Sequence, residues 1–164
     1  MSAAPKQANL AFSALIKKGI ELFDALHSIL TQERGYLEEN RFKDIETISV
    51  KKKSCLSKIS QHEQCIQQLC EQYDIQYDAS AIDQLLLLFR NAEHHQTIES
   101  IQRYKARLSQ CDDLNNINGR IIHRSRLNAA SLLALLKGAA KQEQTYSIKG
   151  KKDTKGMHRP IAKA

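Results

Sequence analysis

The chain has 164 residues, a length that suits one domain with a modest core and leaves little room for a second folded unit. It contains no Trp and only 5% aromatic residues, so its core must be aliphatic and narrow, which favours paired helices over a thick globule. The four cysteines form no CxxC pair and follow no apolar signal sequence, and the longest wholly apolar run, Leu85 to Phe89, is far too short to span a bilayer. These features predict a cytosolic, reduced protein.

The net charge of +7 is distributed unevenly along the chain. Residues 114–164 carry eleven Lys or Arg against two acidic residues, whereas the preceding residues carry 14 basic against 16 acidic side chains. A near-neutral body with a basic C-terminal part suggests that this part meets a partner. An acidic protein, a nucleic acid and a membrane surface all remain open at this point.

Two helices are predicted in the first half of the chain, because no proline occurs between Pro5 and Pro160. In the first helix a heptad seam and a second stripe beside it predict packing against more than one partner helix. The seam comprises Phe12, Leu15, Gly19, Leu22, Leu26, Ile29, Glu33 and Tyr36, and the second stripe comprises Ile16, Phe23, Leu30 and Leu37.

A polar break at residues 38–41 predicts a turn, after which a weaker seam begins a second helix. This seam comprises Ile45, Ile48, Lys52, Cys55, Ile59, His62, Ile66, Leu69 and Tyr73. Lys52 and His62 occupy apolar positions, so we expect part of the seam to lie at the edge of the bundle or to let the lysine stem reach water. The short connection between helices of matched length predicts antiparallel neighbours.

A third helix is predicted to begin near Ala81, after a capping box formed by Ser80 and Asp83. Its apolar positions continue in one register from Ile82 to Leu136, with a polar interruption at residues 93–96 and a hinge or fraying at Gly119. Beyond Gly138 we expect disorder.

The predicted fold class is therefore all-α: an elongated antiparallel three-helix, coiled-coil-like bundle with a long third helix and a flexible C-terminal tail. We divide the chain into a bundle body of residues 1–113, an amphipathic helical segment of residues 114–138 and a flexible basic tail of residues 139–164.

Catalytic and metal-site patterns are absent from the sequence, so we predict no enzyme activity and no cofactor. His62, Cys65 and Cys70 lie near helical spacing for one face, but a zinc site needs about four ligands and a fourth is lacking. We therefore interpret the cysteines as buried apolar residues. The run of lysines at residues 51–53 is interpreted as a solvated helix face.

The most distinctive pattern is the leucine-dense, basic C-terminal region. If it only completed the bundle, the third helix would approach sixty residues against about thirty for each partner, and at about 1.5 Å per residue its distal half would overrun them. Its apolar face would then need another surface, such as a helix of a partner protein. A nucleic-acid arm is the other interpretation, supported by charge but weakened by the leucines and by the lack of aromatic residues between arginines.

The order of residues in this region resembles the FlgN family of cytosolic flagellar export chaperones. The resemblance covers most of the chain, and its most specific part has this order: Asn115, Asn118, Ile121, Ile122, Ser125, Leu132, Leu133, Leu135, Leu136, Gly138, Thr145, Tyr146 and Gly150. It implies a chaperone of bacterial flagellum biogenesis and type III secretion that binds the hook-associated proteins FlgK and FlgL.

The resemblance also implies site residues. The client-binding residues would be Leu114, Ile117, Asn118, Ile121, Ile122, Ser125, Leu132, Leu133, Leu135 and Leu136. Tyr146, with Gly150 near it, would dock the loaded chaperone on the export gate protein FlhA. No nucleic acid is expected, and contact with the membrane is expected only indirectly, through the export gate.

Overall fold

Four α-helices make up the regular structure in the computed structural model of this chain. The structure describes the backbone of residues 3–89 and 94–148 and the side-chain surroundings of residues 8–89 and 97–137. Helix α1 spans Ala3–Glu38, α2 spans Phe42–Gln72, α3 spans Ala81–Leu88 and α4 spans His94–Ile148, with no strand among the described residues. The predicted all-α class is confirmed for this part of the chain. Two compact units are present: a first unit, Met1–Ile122, and a second unit, His123–Ala164.

Helices α1 and α2 both end in a Schellman motif. After α1, the Arg41 N–H donates to the Tyr36 carbonyl at 2.9 Å and Asn40 has a positive φ of 55°. After α2, the Ile75 N–H donates to the Cys70 carbonyl at 2.9 Å, and Asp74 has a φ of 53°. Asn and Asp tolerate this left-handed conformation, so each supplies the helix end that glycine usually provides. The predicted turn at residues 38–41 is confirmed.

Side-chain contacts define the directions of the long helices within the first unit. Three of them join α2 to α1: Lys52 to Glu33, Cys55 to the Leu22 carbonyl, and His62 to the Leu15 carbonyl. Another three contacts join α4 to α1: the Tyr104 ring lies beside Gly19, Cys111 bonds the Phe23 carbonyl, and Asn118 bonds the Leu30 carbonyl. Numbers fall along α1 as they rise along α2, but they rise together along α1 and α4. Helix α2 therefore lies antiparallel to α1, whereas α4 lies parallel to it.

The core of the first unit lies where the predicted stripes meet. Its buried members from α1 and α2 include Phe12, Ile16, Leu22, Phe23, Leu26, Leu30, Cys55, Ile59, Ile66 and Leu69, and those from α3 and α4 include Leu85, Ile101, Tyr104 and Cys111. The second stripe of α1 is the more deeply buried, because Leu15 and Ile29 of the heptad seam are only partly covered. Periodicity thus identifies most of the buried residues, although Tyr73 of the second seam is 38% exposed.

His62 and Cys65 differ from the prediction. His62 is buried rather than at the edge, because its Nε2 bonds the Leu15 carbonyl at 2.9 Å and its ring lies beside Tyr104. Cys65 is exposed, whereas Cys55, Cys70 and Cys111 are buried as predicted. Cys65 lies on the solvent side of α2, three residues beyond His62 and off the seam.

The predicted third helix is divided into α3 and α4. Helix α3 ends at Leu88, and the Phe89 carbonyl at its end accepts a buried hydrogen bond of 3.0 Å from the Asn9 amide nitrogen. The Phe89 ring packs against Phe12 and Tyr73. These ring contacts and the hydrogen bond from Asn9 stabilise the end of α3. All three partners are distant from Phe89 in sequence.

The capping box predicted at Ser80 is wrong, although the helix does begin at Ala81. The Ser80 side chain makes no capping bond and instead donates to the Asp78 carboxylate at 2.7 Å. Asp83 accepts a hydrogen bond from Lys105 of α4 at 2.6 Å. Both partners of the expected box are therefore occupied elsewhere. The carboxylate of Asp78 has a lowered pKa because it accepts hydrogen bonds from the Ser80 hydroxyl and backbone.

The disorder predicted from residue 139 is wrong for residues 139–148, because α4 continues to Ile148. This stretch contains Ala, Lys, Gln and Glu, which have high helix propensities despite their lack of an apolar stripe. The rest of the predicted tail lies outside the described residues. Fraying at Gly119 is also contradicted, because the helix includes that residue. Within the described residues, no helix is long and apolar enough to cross a membrane.

Alanine at two helical glycines is expected to change stability in opposite directions. A Cβ at Gly19 would lie 2.8 Å from ring atoms of both His62 and Tyr104, so close packing of α1, α2 and α4 requires glycine there. Overpacking costs about 1–3 kcal/mol. The gain in helix propensity is only about 1 kcal/mol, so we expect Gly19→Ala to lower the free energy of unfolding.

At Gly119 an added Cβ meets nothing within 4 Å, so Gly119→Ala is expected to raise the free energy of unfolding by about 0.5–1 kcal/mol. Denaturant unfolding of both variants, followed by circular dichroism, measures the two effects side by side. Equal changes at the two positions would contradict the close packing inferred at Gly19.

Candidate functional site

A leucine-rich part of α4 in the second unit presents its apolar side chains to solvent. We call residues 123–137 the leucine segment; every one of its side chains is exposed. Leu132 and Leu133 are 62% and 57% exposed, and Leu135 and Leu136 are 71% and 67% exposed. Contiguous apolar surface of this kind marks an interaction site on a folded protein, because leaving it in water is unfavourable.

The four leucines lie on one broad face of the helix. At about 100° per residue, Leu135, Leu132, Leu136 and Leu133 follow one another around the helix over an arc of roughly 160°. Ala129 falls within the same arc. Leu127, which is 55% exposed, falls on the opposite side of the helix. The arc is wider than the narrow seam of a two-stranded coiled coil.

Basic side chains border this arc on both edges. By the same helical spacing, Arg124 lies about 20° beyond Leu135, and Arg126 lies about 20° beyond Leu133, with Lys137 next to it. The leucine segment contains no acidic residue. Ser125 and Asn128 also fall within the arc, so its surface is apolar from Ala129 to Leu136, with basic residues at both edges.

The other predicted client-binding residues differ in exposure. In the second unit Ser125 is exposed. In the first unit the apolar members are partly buried: Leu114, Ile117, Ile121 and Ile122. Leu114 packs against the core of that unit. Asn118 is fully buried, with 0% exposure, and so acts inside the first unit.

Asn118 belongs to a polar cluster that the sequence did not indicate. Its amide nitrogen donates to the Leu30 carbonyl at 2.9 Å and to the Glu33 carboxylate at 2.8 Å, and the Lys52 amine donates to the same carboxylate at 3.0 Å. Glu33 is 3% exposed. Lys52 and Glu33 both occupy seam positions with opposite charges, which is the signal that could have revealed the pair. The cluster ties α1, α2 and α4 together.

The two residues predicted to dock on the export gate lie at the limit of the structure. Tyr146 is in the helical backbone of α4, but its side chain is outside the described residues. Gly150 lies outside the described residues altogether.

Two titratable groups in the core of the first unit have pKa values raised by burial. Burial raises the pKa of the Tyr104 hydroxyl to about 12 and that of the Cys111 thiol to about 11, so both are neutral at physiological pH. A neutral buried thiol is a poor nucleophile. No group of three or more His, Cys, Asp or Glu residues suited to a metal ion occurs in the described part of the chain.

A helical bundle combined with an exposed amphipathic helix is typical of proteins that bind a partner. The family model described as FlgN protein matches residues 10–154, which is most of the chain. The chain therefore belongs to the FlgN family, and the resemblance found in its sequence is confirmed. FlgN proteins are chaperones of flagellum biogenesis that bind hook-associated proteins. Searches among curated proteins and among solved structures found no match.

Proposed function

We propose that this chaperone binds the hook-associated proteins FlgK and FlgL through the leucine segment and delivers them, unassembled, to the export gate protein FlhA. The observation that carries the proposal is the exposure of Leu132, Leu133, Leu135 and Leu136 on one face of a helix, in a chain of a chaperone family. In this proposal α1, α2 and the first part of α4 form the three-helix bundle body, in which α2 runs antiparallel to the other two helices. The working compartment is the cytosol.

The chemistry of such a client contact is the burial of apolar surface. Where a hook-associated protein assembles through helices with apolar faces, an exposed leucine face can cover those helices before assembly. Each Å² of apolar surface removed from water contributes roughly 25 cal/mol. Fixing the side chains at the interface opposes this gain, which keeps the affinity moderate and permits release.

Titration of purified FlgK, and separately FlgL, into the full chain tests the proposal. We expect saturable binding that changes little with salt, because apolar contacts dominate it. A nucleic-acid-binding protein would behave differently: its affinity for labelled DNA or RNA would fall steeply with salt as counterions are released. Binding of nucleic acid in place of both hook-associated proteins would overturn the proposal.

Tyr146 is proposed to act in delivery rather than in client binding, with Gly150 near it. Tyr146→Ala is expected to impair export of FlgK and FlgL in cells while leaving their affinity for the chaperone within about twofold, since a tyrosine anchor contributes only to its own interface. Tyr146→Phe, which keeps the ring, is the matched control. A fall in client affinity as large as the fall in export would contradict the docking role.

A further inference from the structure

The leucine segment has a charge arrangement that a client helix does not require. A client helix packed as in a two-stranded coiled coil would need only a narrow apolar seam. Here the apolar arc is broad, and Arg124 on one edge and Arg126 and Lys137 on the other border it. All of these side chains are exposed.

We propose that the leucine segment binds an anionic lipid surface, lying along the membrane with its leucines among the acyl chains. A helix with a wide apolar face and Lys or Arg beside it is suited to this position. The Lys137 stem can pack over the apolar boundary beside Leu133 while its charged end reaches a lipid phosphate, and Arg124 and Arg126 extend the two basic edges toward the N-terminal end of the segment. Basic residues on both edges fit a flat anionic surface, which offers phosphates on both sides of the helix.

Residues beyond the leucine segment add charge of the same sign. Positions 138–164 carry seven Lys or Arg against two acidic residues. A basic sequence adjoining an amphipathic helix increases its attraction to anionic lipid. The first unit lacks this feature, since the residues before position 114 have slightly more acidic than basic side chains. Charge therefore directs the C-terminal part of the chain to the lipid surface.

Lipid and client would use the same leucines, so they would compete. This consequence rests on the proposed function, whereas lipid binding itself does not. A chaperone carrying a hook-associated protein would lose it more readily at an anionic membrane than in solution. The leucine segment would then help to transfer the client at the membrane that holds the export gate.

Flotation of the full chain with vesicles measures the lipid interaction directly. We expect the chain to float with vesicles of about 30% phosphatidylglycerol in phosphatidylcholine, and to remain in solution with pure phosphatidylcholine. Raising the salt concentration to about 0.5 M should reduce flotation, because the Debye length falls well below its physiological value of about 8 Å. Absence of flotation with the anionic vesicles at low salt would overturn the proposal.

Matched variants distinguish the effect of the basic residues at the edges of the arc from the effect of net charge. Arg124→Glu with Arg126→Glu is expected to reduce binding to anionic vesicles at least tenfold. Lys17→Glu with Lys53→Glu changes the net charge by the same amount at exposed positions of α1 and α2. This pair should reduce binding to anionic vesicles less than twofold. Equal losses in the two pairs would refute a site on the leucine segment.

A synthetic amphipathic peptide with leucines on one face and glutamates on both edges tests the alternative partner. Binding of this peptide by a chain that ignores anionic vesicles would identify an acidic helix as the ligand and overturn the lipid proposal. Failure of FlgK and FlgL to bind is a separate result, which would refute the proposed function and leave vesicle binding intact.

Discussion

Replacing Leu132 and Leu136 together with glutamine is expected to weaken binding of FlgK and FlgL by about a hundredfold or more. Full burial of one leucine side chain contributes roughly 1.5–3 kcal/mol, so two of them contribute several kcal/mol to a client interface. Both leucines are more than 60% exposed in the free chain, and their loss removes little packing from the fold. Titration of each client into the variant measures the affinity, and far-ultraviolet circular dichroism measures the helix content.

Leu127→Gln is the control for this pair. Leu127 is 55% exposed on the same helix but falls outside the leucine arc, so its change should alter client affinity by less than about twofold. Two results would contradict the client-binding site. One is an equal loss of affinity in the control, and the other is a loss of helix content in the double variant, which would make these leucines part of the core.

Removing the Lys52 amine is expected to destabilise the first unit by about 3 kcal/mol. Lys52→Met leaves the Glu33 carboxylate, with a side chain only 4% exposed, without its opposite charge. Loss of one partner from a buried ion pair typically costs about 3–5 kcal/mol, and the 20% exposure of Lys52 favours the lower end. Chemical denaturation, with circular dichroism as the signal, measures the free energy of unfolding.

A second substitution distinguishes charge from packing in this cluster. Glu33→Gln added to Lys52→Met removes the unpaired charge, so it should restore part of the lost stability. Lys58→Met, at an exposed position of the same helix, serves as the control and should change stability by less than about 0.5 kcal/mol. If the double variant is less stable than Lys52→Met alone, the unpaired carboxylate is not the cause of the loss.

The long helices and their buried faces could be predicted because periodicity is a property of the chain itself. The stripe at Ile16, Phe23 and Leu30 is buried as its spacing requires. Polarity predicts the turn after α1. The asparagine at position 40 is a more specific signal, because Asn tolerates the left-handed conformation that Asn40 adopts there. Features of this kind, a helical stripe or a turn residue, depend only on nearby residues and can therefore be predicted from the sequence.

Features that depend on distant partners could not be predicted. The end of α3 at Phe89 requires Asn9, eighty residues away, and the burial of His62 requires an acceptor on α1. The capping motif at Ser80 failed because Asp78 competes for the hydroxyl. Sequence spacing assigns a residue to a face of a helix, but it does not say which group on another helix that residue will meet.

The candidate site was predictable only in part, for the same reason. Helical spacing puts the leucines at positions 132–136 on one face, and the structure leaves them exposed. Spacing also groups Asn118 with the client-binding residues, yet its amide lies in the core against Leu30 and Glu33. Partial burial at Leu114 likewise depends on how α4 packs against α1.

Four side chains from α2 and α4 bond to main-chain carbonyls of α1. They are His62, Cys55, Cys111 and Asn118, and the carbonyls belong to Leu15, Leu22, Phe23 and Leu30. A carbonyl remains whatever side chain its residue carries, so substitutions in α1 leave all four acceptors available. An insertion between Leu15 and Leu30 would instead shift the later acceptors by about 1.5 Å and 100°. These four bonds thus survive side-chain substitution at their α1 acceptors, whereas a change in the length of α1 would displace them.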